Sequence, residues 1–357
     1  MYDDALRFHD HFVERIWGGR KLASALGKDL PDGAAIGEDW LISDHGSAQS
    51  VVAEGPYAGM TLRALIERDA RAVLGSHAQL TVHGRFPLLL KLLDANDVLS
   101  VQVHPDDAAA AELGEPDVGK TEMWHVLQAE PGSALYCGLR SGVDAERLRD
   151  AIETNALEEL LVRFPVDPET SVFVPAGTVH AIGAGIVLAE IQQNSDLTYR
   201  LYDWGRVQAD GTPRELHIDK SLVATKFAEG RQGPATTLSY PVDGGVCEVL
   251  AACRYFAAER VAVDGGNVQR ESGGRSFHIV LGKTGVLAVT VGPKGAPHPV
   301  HPGEAVLVPG EARAYTLEGE GSALCYYVPD LDADIRRPLA DAGHSAAEIE
   351  ALGLGAV

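Results

Sequence analysis

The chain has 357 residues, enough for two or three domains at about 150 residues each. It carries 30 Lys plus Arg against 51 Asp plus Glu, a formal net charge of −21, which argues against nucleic acid and anionic membranes as partners because both require a basic face. With 45% hydrophobic and 23% charged residues, the chain can bury a core and does not have the composition of a disordered protein.

The cysteines and the N-terminal segment indicate a cytoplasmic protein. The sequence contains no CxxC pair, and its four cysteines are predicted to be reduced core or surface thiols: Cys137, Cys247, Cys253 and Cys325. The start, MYDDALRFHDHF, is acidic and lacks the pattern of a signal peptide. Lys91 interrupts the apolar stretch 87–93, so we expect no membrane-spanning segment.

The first half of the chain is predicted to be rich in strands, with helical insertions. Apolar residues at helical spacing predict a helix over 61–74. Residues 144–164 indicate two short helices, with Asp144 as an N-cap. The predicted strands are 86–94, 99–104, 121–127, 133–139, 171–175, 187–193 and 198–204.

The second half is predicted to be a plainer block of strands. A turn-rich region from 205 to about 245 contains one short helix near 217–227, and a strand-rich block over 248–328 follows it. Ser345 and Glu348 have the spacing of a capping box at the start of a helix in the tail. The sequence therefore predicts a mainly β fold with two β-barrels. The first barrel covers 1–215, with helical insertions at about 59–78 and 143–164, and the second barrel covers 216–357 together with a C-terminal helix.

Three segments of the first half carry side chains that bind metals. On the strand VQVHP, Gln102 and His104 are two residues apart and share a face. On GKTEMW, Lys120 and Glu122 share a face, and the turn PAGTVH ends in His180. Each segment alone is a weak signal, because a single histidine in a strand is usually a core or surface residue. Together they predict a mixed nitrogen–oxygen site for one divalent metal, best suited to zinc, with cobalt, manganese or iron as alternatives.

The same segments resemble a known enzyme family. The turn at 175–180 is similar to the second half of a cupin signature. The wider resemblance is to the type I mannose-6-phosphate isomerases, in particular their shorter bacterial branch, and covers most of residues 14–206. It is carried by IWGGRKL (16–22), IGEDWLISDH (36–45), FPLLLKLLDANDVLSVQVHPDD (86–107), GKTEMWHVL (119–127), VPAGTVHAIGAG (174–185) and EIQQNSDLTYRLYDWGR (190–206). Beyond about residue 230 only the architecture is similar.

The resemblance implies two cupin-type (jelly-roll) β-barrels and one zinc ion per chain. It also implies a metal-dependent aldose–ketose isomerase whose partner is a small sugar phosphate, interconverting mannose 6-phosphate and fructose 6-phosphate. The family's zinc ligands fall on Gln102, His104, Glu122 and His180, and its catalytic arginine falls on Arg200. Glu122 lies eighteen residues after His104, farther than in an ordinary cupin, and the isomerase branch shares this departure.

Isomerisation through an enediolate requires an electrophile, a base for the carbon proton and an anchor for the phosphate. A metal with an open position supplies the first of these. Arg200 and Lys120 are the predicted catalytic and substrate-binding cations, which would hold the phosphate or the developing oxyanion. Glu190 is a candidate base, and Lys120 is another if burial removes its charge. On TYRLYDW, Arg200 is expected to share a face with Tyr202 and Trp204.

Structural roles remain open for the same side chains. Arg200 could pair with Asp196 or Asp203 on the surface, and Lys120 could be a solvated strand lysine. Glu190 could orient a ligand histidine instead of acting as a base.

Two other functions also remain open. One is a non-catalytic cupin module that binds a metal or a sugar, and the other is a metal-dependent dioxygenase, which would favour iron. Retention of Lys120, Glu190 and Arg200 around the metal favours the isomerase, because a binding module does not need them. The second barrel is expected to hold no catalytic metal, because VPAGTVHAIG in the first barrel has His180 at the end of the turn, whereas VPGEARAYTL has Tyr315 and no histidine there.

Overall fold

The computed structural model describes residues 2, 4–46, 48–208, 210–227, 233–293 and 295–355. The fold is mainly β, as predicted, and its strands are antiparallel throughout these ranges. None of the described helices has the length and apolar character needed to cross a bilayer.

The strands are numbered in chain order. Those of the first half are β1 (Leu6–Arg7), β2 (Phe12–Gly19), β3 (Ile36–Ile42), β4 (Asp44–His45), β5 (Ala48–Gln49), β6 (Leu88–Ala95), β7 (Val101–Val103), β8 (Glu122–Ala129), β9 (Ala134–Leu139), β10 (Leu161–Pro165), β11 (Ser171–Val174), β12 (His180–Ile182), β13 (Ile186–Gln193) and β14 (Tyr199–Tyr202). Those of the second half are β15 (Leu238–Val242), β16 (Gly245–Ala252), β17 (Ala257–Glu271), β18 (His278–Val291), β19 (Pro297–Val300), β20 (Ala305–Val308) and β21 (Ala314–Tyr327).

The helices are short and lie between or outside the sheets. The α-helices are α1 (Lys21–Leu26), α2 (Leu62–Leu74), α3 (Asp107–Glu112), α4 (Ala145–Glu153), α5 (Ile218–Ala224), α6 (Arg337–Asp341) and α7 (Ala346–Glu350). Single turns of 3₁₀-helix occur at Gly55–Tyr57, Leu157–Leu160 and Gly310–Ala312, and a π-type turn occurs at Leu331–Arg336.

Within the described residues, the strands form three large sheets and one ribbon. The front sheet has the order β10-β9-β12-β7-β14, and the middle sheet has the order β11-β8-β13-β6-β3-β2. The C-terminal sheet has the order β1-β20-β18-β21-β17-β16-β15, with β19 paired to β18, and β4 pairs with β5. The order of each sheet is open at both ends in these ranges.

The middle sheet is buried on both faces. Trp124, Val126 and Leu188 point toward the front sheet and share a core with its Leu135 and Ile182. The alternate side chains of β6, β8 and β13 point the other way, into a core that includes α2 and the C-terminal sheet. Because both faces are covered, β6 and β13 are buried at every position, and their sequences do not alternate between apolar and polar residues.

The predicted helix over 61–74 is confirmed as α2. Thr61 caps it by accepting a hydrogen bond from the Ala64 N–H. Its apolar stripe packs into the core shared with the C-terminal sheet. The capping box of Ser345 and Glu348 is also present, at the start of α7.

The prediction of two helices over 144–164 is half right. Asp144 caps α4 as expected, by accepting from the Arg147 N–H. The second predicted helix is instead a 3₁₀ turn followed by β10, which pairs with β9. Asn155 has a φ of 55°, which ends the helical path. Pairing with the edge of the front sheet then outweighs the helix propensity of the leucines and glutamates.

Packing between the halves gives a stability prediction. Phe277 of the second half is fully buried, and its ring centroid lies 4.4 Å from that of Phe86. We expect Phe277→Ala to lower the free energy of unfolding by about 3–5 kcal/mol, because it removes a large buried ring from a close-packed core. Denaturant titration would measure this, with Val246→Ala at an exposed position as the control. Equal midpoints for the two variants would contradict the prediction.

Candidate active site

Three ligand-type side chains converge between the front and middle sheets. His104 directly follows β7, and His180 begins β12, the neighbouring strand of the front sheet. Glu122 begins β8 of the middle sheet and faces them. Potential ligand atoms of the three residues lie within 4.8 Å of one another, and all three side chains are buried. They form a candidate metal site.

The hydrogen bonds of the two imidazoles orient them as metal ligands. His104 Nδ1 donates to Leu197 O at 2.7 Å, and His180 Nδ1 donates to Thr178 O at 2.8 Å. The proton on Nδ1 leaves the lone pair on each Nε2, and these atoms lie 3.4 Å and 3.3 Å from the Glu122 carboxylate. A backbone carbonyl that fixes the tautomer is the usual outer partner of a metal-bound histidine.

The Glu122 carboxylate fits a bound cation. Both of its oxygens are buried and accept no hydrogen bond from the described residues. Lys120 Nζ lies 2.7 Å from Oε2 as an ion pair, although without the angle of a hydrogen bond. Burial alone would raise the pKa of Glu122, but Lys120, His104 and His180 outweigh it and hold the pKa well below its usual value. The carboxylate is therefore ionised and available to a metal.

Gln102 lies beside the triad. It is directly opposite His180 in the antiparallel register of β7 and β12, so both side chains point toward the middle sheet. Its Nε2 lies 3.3 Å from His180 Nε2. The oxygen and nitrogen of a glutamine amide are assigned from their hydrogen bonds. Rotating the Gln102 amide by 180° would place its oxygen, a possible metal ligand, where Nε2 now lies.

Lys120 is buried rather than solvated, which excludes the surface alternative. The residue is 5% exposed, and its Nζ lies 3.2 Å from His104 Nε2 and 3.9 Å from Glu190 Oε1. Burial would lower the pKa of Lys120, but Glu122 and Glu190 raise it above its ordinary value. The amine therefore keeps its charge, which disfavours Lys120 as the base.

Glu190 lies in a row of side chains across the middle sheet. Its register partners are Trp124 on β8 and Lys91 on β6, and Lys91 is opposite Trp40 on β3. Glu190 Oε2 accepts from Trp124 Nε1 at 3.0 Å, and Oε1 lies 3.9 Å from Nζ of both Lys91 and Lys120. Burial raises the pKa of Glu190 to about 7, against the lowering effect of Lys120. This carboxylate can therefore gain and lose a proton near neutral pH.

Arg200 lies on the same face of the front sheet as the ligand residues. β14 pairs with β7 so that Arg200 is opposite Gln102, which is in turn opposite His180. Arg200 Nη1 donates to Glu215 O at 2.9 Å, and its buried Nε has no hydrogen-bond partner among the described residues. Burial lowers the pKa of Arg200, with a further effect of neighbouring arginines.

The ion pair between Arg200 and Asp203 that the sequence left open is not the one that forms. Asp203 pairs with Arg206 and Arg214. The alternation predicted that Tyr202 and Trp204 share the inner face with Arg200, and this prediction is wrong. Both side chains pack against the apolar cluster on the outer face of the front sheet. A register shift between Arg200 and Tyr202 reverses the direction of the side chains, and period-2 reasoning cannot detect such a bulge.

Sequence reasoning missed two groups near the site. Glu38 and Trp40 extend the row on the middle sheet: Trp40 Nε1 donates to Glu38 Oε2 at 2.7 Å, and Lys91 Nζ lies 4.3 Å from the centroid of the Trp40 ring. Their spacing of two residues on β3 is the sequence signal that could have predicted that these two side chains share a face. Cys137 is opposite His180 on β9, and burial, with a contribution from Glu122, raises the pKa of its thiol to about 12.

The fold and the site together define a mainly β protein with a buried site of two imidazoles and one carboxylate, beside a lysine–glutamate pair. A family model for the type I phosphomannose isomerase catalytic domain matches residues 5–123. The mannose-6-phosphate isomerase of Streptococcus mutans is 35% identical over 307 residues, which are 86% of this chain and 93% of that protein. A mannose-6-phosphate isomerase of Bacillus subtilis is 39% identical over 266 residues, 74% of this chain and 81% of that protein.

A solved structure is also similar over most of its length. The crystal structure of the mannose-6-phosphate isomerase from Bacillus subtilis matches with a TM-score of 0.81 and 32% identity, covering 90% of this chain and 99% of that one. The chain belongs to the type I mannose-6-phosphate isomerase family, as the resemblance predicted.

The metal site gives a second prediction. We expect one divalent metal ion per chain, lost in His104→Ala and in Glu122→Ala, because a site with so few ligands does not tolerate the loss of one. Elemental analysis of the purified variants measures this. The control is His125→Gln, a buried histidine of β8 that lies in register with Ser171 and bonds to it. Full occupancy in either alanine variant, or a second ion held by the C-terminal sheet, would contradict the prediction.

Proposed function

We propose that the chain interconverts mannose 6-phosphate and fructose 6-phosphate through an enediolate. The observation that carries this proposal is the meeting of the metal triad with the Lys120–Glu190 pair in one buried site. A module that only binds a metal or a sugar does not need a carboxylate that exchanges protons near neutral pH.

Zinc is the proposed metal, held by Gln102, His104, Glu122 and His180. Two imidazoles, a carboxylate and an amide oxygen form a set that zinc accepts, and cobalt, manganese and iron are the alternatives. When bound, the ion polarises the sugar carbonyl and leaves the proton transfer to side chains.

Glu190 is the proposed base that moves the proton between carbons 1 and 2. Its buried position gives it a pKa suited to both removing and returning a proton. Trp124 fixes one oxygen of the carboxylate, leaving the other beside Lys120. The charged Lys120 then stabilises the negative charge that develops on the enediolate oxygens.

Arg200 is the proposed anchor for the phosphate. A guanidinium can meet two phosphate oxygens at once, which an ammonium cannot do. The chain has a net charge of −21, so attraction for a dianionic substrate has to come from cations within the cleft. The unpartnered Nε of Arg200 leaves a donor free for this purpose.

The finer architecture belongs to the same proposal. In it, the front and middle sheets are a first cupin-type barrel within 1–215, and strands β15 to β21 are a second barrel within 216–357, to which β1 adds a short strand by pairing with β20. Each block has an apolar core of its own, which supports this division. The cytoplasm is the proposed location, where the buried free thiols stay reduced.

The decisive experiment is a coupled assay with mannose 6-phosphate as the substrate. Auxiliary enzymes convert the fructose 6-phosphate that forms into glucose 6-phosphate and oxidise it with NADP+, so that NADPH reports the turnover. We expect turnover by the purified metal-loaded protein, and its loss on chelation with recovery on adding zinc. Metal binding without any turnover would favour the non-catalytic module instead.

The Arg200 assignment predicts a graded loss. Removing one partner of a buried charged contact costs roughly 2–5 kcal/mol. At about 1.4 kcal/mol per decade, Arg200→Ala should lower kcat/KM roughly 30-fold to several thousand-fold. Arg200→Lys should recover part of the loss, and Arg163→Ala, at an exposed position, should behave as the unmutated protein.

The substrate separates two roles for Arg200. If Arg200 binds the phosphate, the loss of kcat/KM nearly vanishes on free mannose. If it stabilises the enediolate, both sugars lose rate alike. Near-normal kinetics of Arg200→Ala on the phosphosugar would remove Arg200 from the site.

Glu190 predicts a pH dependence. Its base form is lost as pH falls through its pKa, which burial raises toward about 7 from the usual 4.5 and which a nearby metal cation lowers again. We therefore expect kcat/KM to fall tenfold per pH unit on the acid side, with an apparent pKa between these two values. Glu190→Gln should lose activity while retaining its metal. An acid limb that persists in the residual activity of this variant would assign the titration to another group.

A further inference from the structure

The Asp107 carboxylate joins the C-terminal half of the chain to the segment that carries Lys120. Asp107 is the first residue of α3, and its Oδ1 accepts hydrogen bonds from the Gly119 N–H at 2.9 Å and from Gln193 Nε2 at 3.0 Å. Its Oδ2 accepts from the hydroxyl of Tyr255 at 2.7 Å, and Tyr255 lies in the connection between β16 and β17.

Segment 119–121 is held at three successive backbone N–H groups. Beyond the bond to Asp107, the N–H of Lys120 donates to Pro105 O at 2.9 Å. The N–H of Thr121 donates to Gln193 Oε1 at 2.9 Å. Gln193 therefore bonds both to the aspartate and to the Thr121 backbone, and the path of the segment is fixed before β8 begins.

The segment also packs directly on the start of α3. A Cβ at Gly119 would lie 2.5 Å from the backbone of Asp106 and Asp107, so only glycine allows this approach. This close contact holds the backbone just before Lys120 against Asp106 and Asp107.

We propose that Asp107, supported by Tyr255 of the C-terminal half, is a positioning residue that aims Lys120 into the active site. The inference rests on the proposed isomerase function and deepens it, because it gives the second half of the chain a part in the reaction. Neither residue contacts the metal triad: Asp107 acts through the backbone of 119–121.

The first test is kinetic and uses the full-length, metal-loaded protein. We expect Asp107→Ala to lower kcat about 10- to 100-fold, the scale of loss when a catalytic group is misplaced by about 1 Å. KM should change less than about threefold and metal content should not change. Asp107→Asn keeps an oxygen acceptor for Gly119 and should recover most of the loss. Tyr255→Phe should show a smaller loss in the same parameter.

A double-mutant cycle separates positioning from general stability. In a Lys120→Ala background, Asp107→Ala should cause no further loss of kcat, because the group that it positions is absent. The matched control is Asp106→Ala, which removes the N-cap bond to the Ala109 N–H from the same helix. It should lower the melting temperature while leaving kcat unchanged.

Amide hydrogen exchange gives a readout that does not depend on activity. The amides of Gly119 and Thr121 should exchange faster in Asp107→Ala and remain protected in Asp106→Ala. Additive kinetic losses in the double variant, or equal effects of the two aspartate variants on kcat and exchange, would overturn the proposal. A wild-type protein without isomerase activity would overturn the proposed function instead, and the exchange measurement would still test the contact.

Discussion

The site depends on one buried carboxylate. Glu122 keeps a negative charge in the protein interior, where an isolated ion would cost several kcal/mol, because Lys120 and two imidazoles surround it. The same charge organises its neighbours: it raises the pKa of Lys120, and it contributes to the raised pKa of Glu190. A metal ion at this position would complete a set of charges that the fold has already assembled, so little rearrangement is needed on binding.

The layered fold makes this arrangement rigid. The front sheet delivers two histidines and a glutamine from neighbouring strands, and the middle sheet delivers the carboxylate and the Glu190 row from the opposite side. His104 follows β7, His180 begins β12 and Glu122 begins β8, and these three side chains are buried. The C-terminal sheet covers the back of the middle sheet, which keeps water away from the strands that carry Glu122 and Glu190. The second half thus supports the site without supplying a residue of the triad.

Cations close to the site have to offset the repulsion that a chain of net charge −21 exerts on an anionic substrate. Lys91, Lys120 and Arg200 all face the space between the front and middle sheets, where solvent screening is weak. In such a place a few charges set the potential that a sugar phosphate meets, whatever the net charge at longer range. Lys91 also lies over the Trp40 ring, so the row that carries Glu190 continues across β6 to β3 with a charge and an aromatic face.

The sequence by itself determined the strands that carry the site, from β6 to β9 and from β11 to β14, together with the α2 helix and the candidate ligand types. It could do so because hydrophobic spacing and the short motifs around His104, Glu122 and His180 are local properties. Only the tertiary structure decided how the ligands meet, since strand pairing joins residues that are far apart in the chain. It also decided that Lys120 stays charged and that the pKa of Glu190 rises, because both follow from burial and from charges on other strands. The bulge after Arg200, the strand that replaced the helix after Asn155 and the bond between Asp107 and Tyr255 depend on neighbouring strands and loops. Such long-range contacts leave no periodic signal in the sequence.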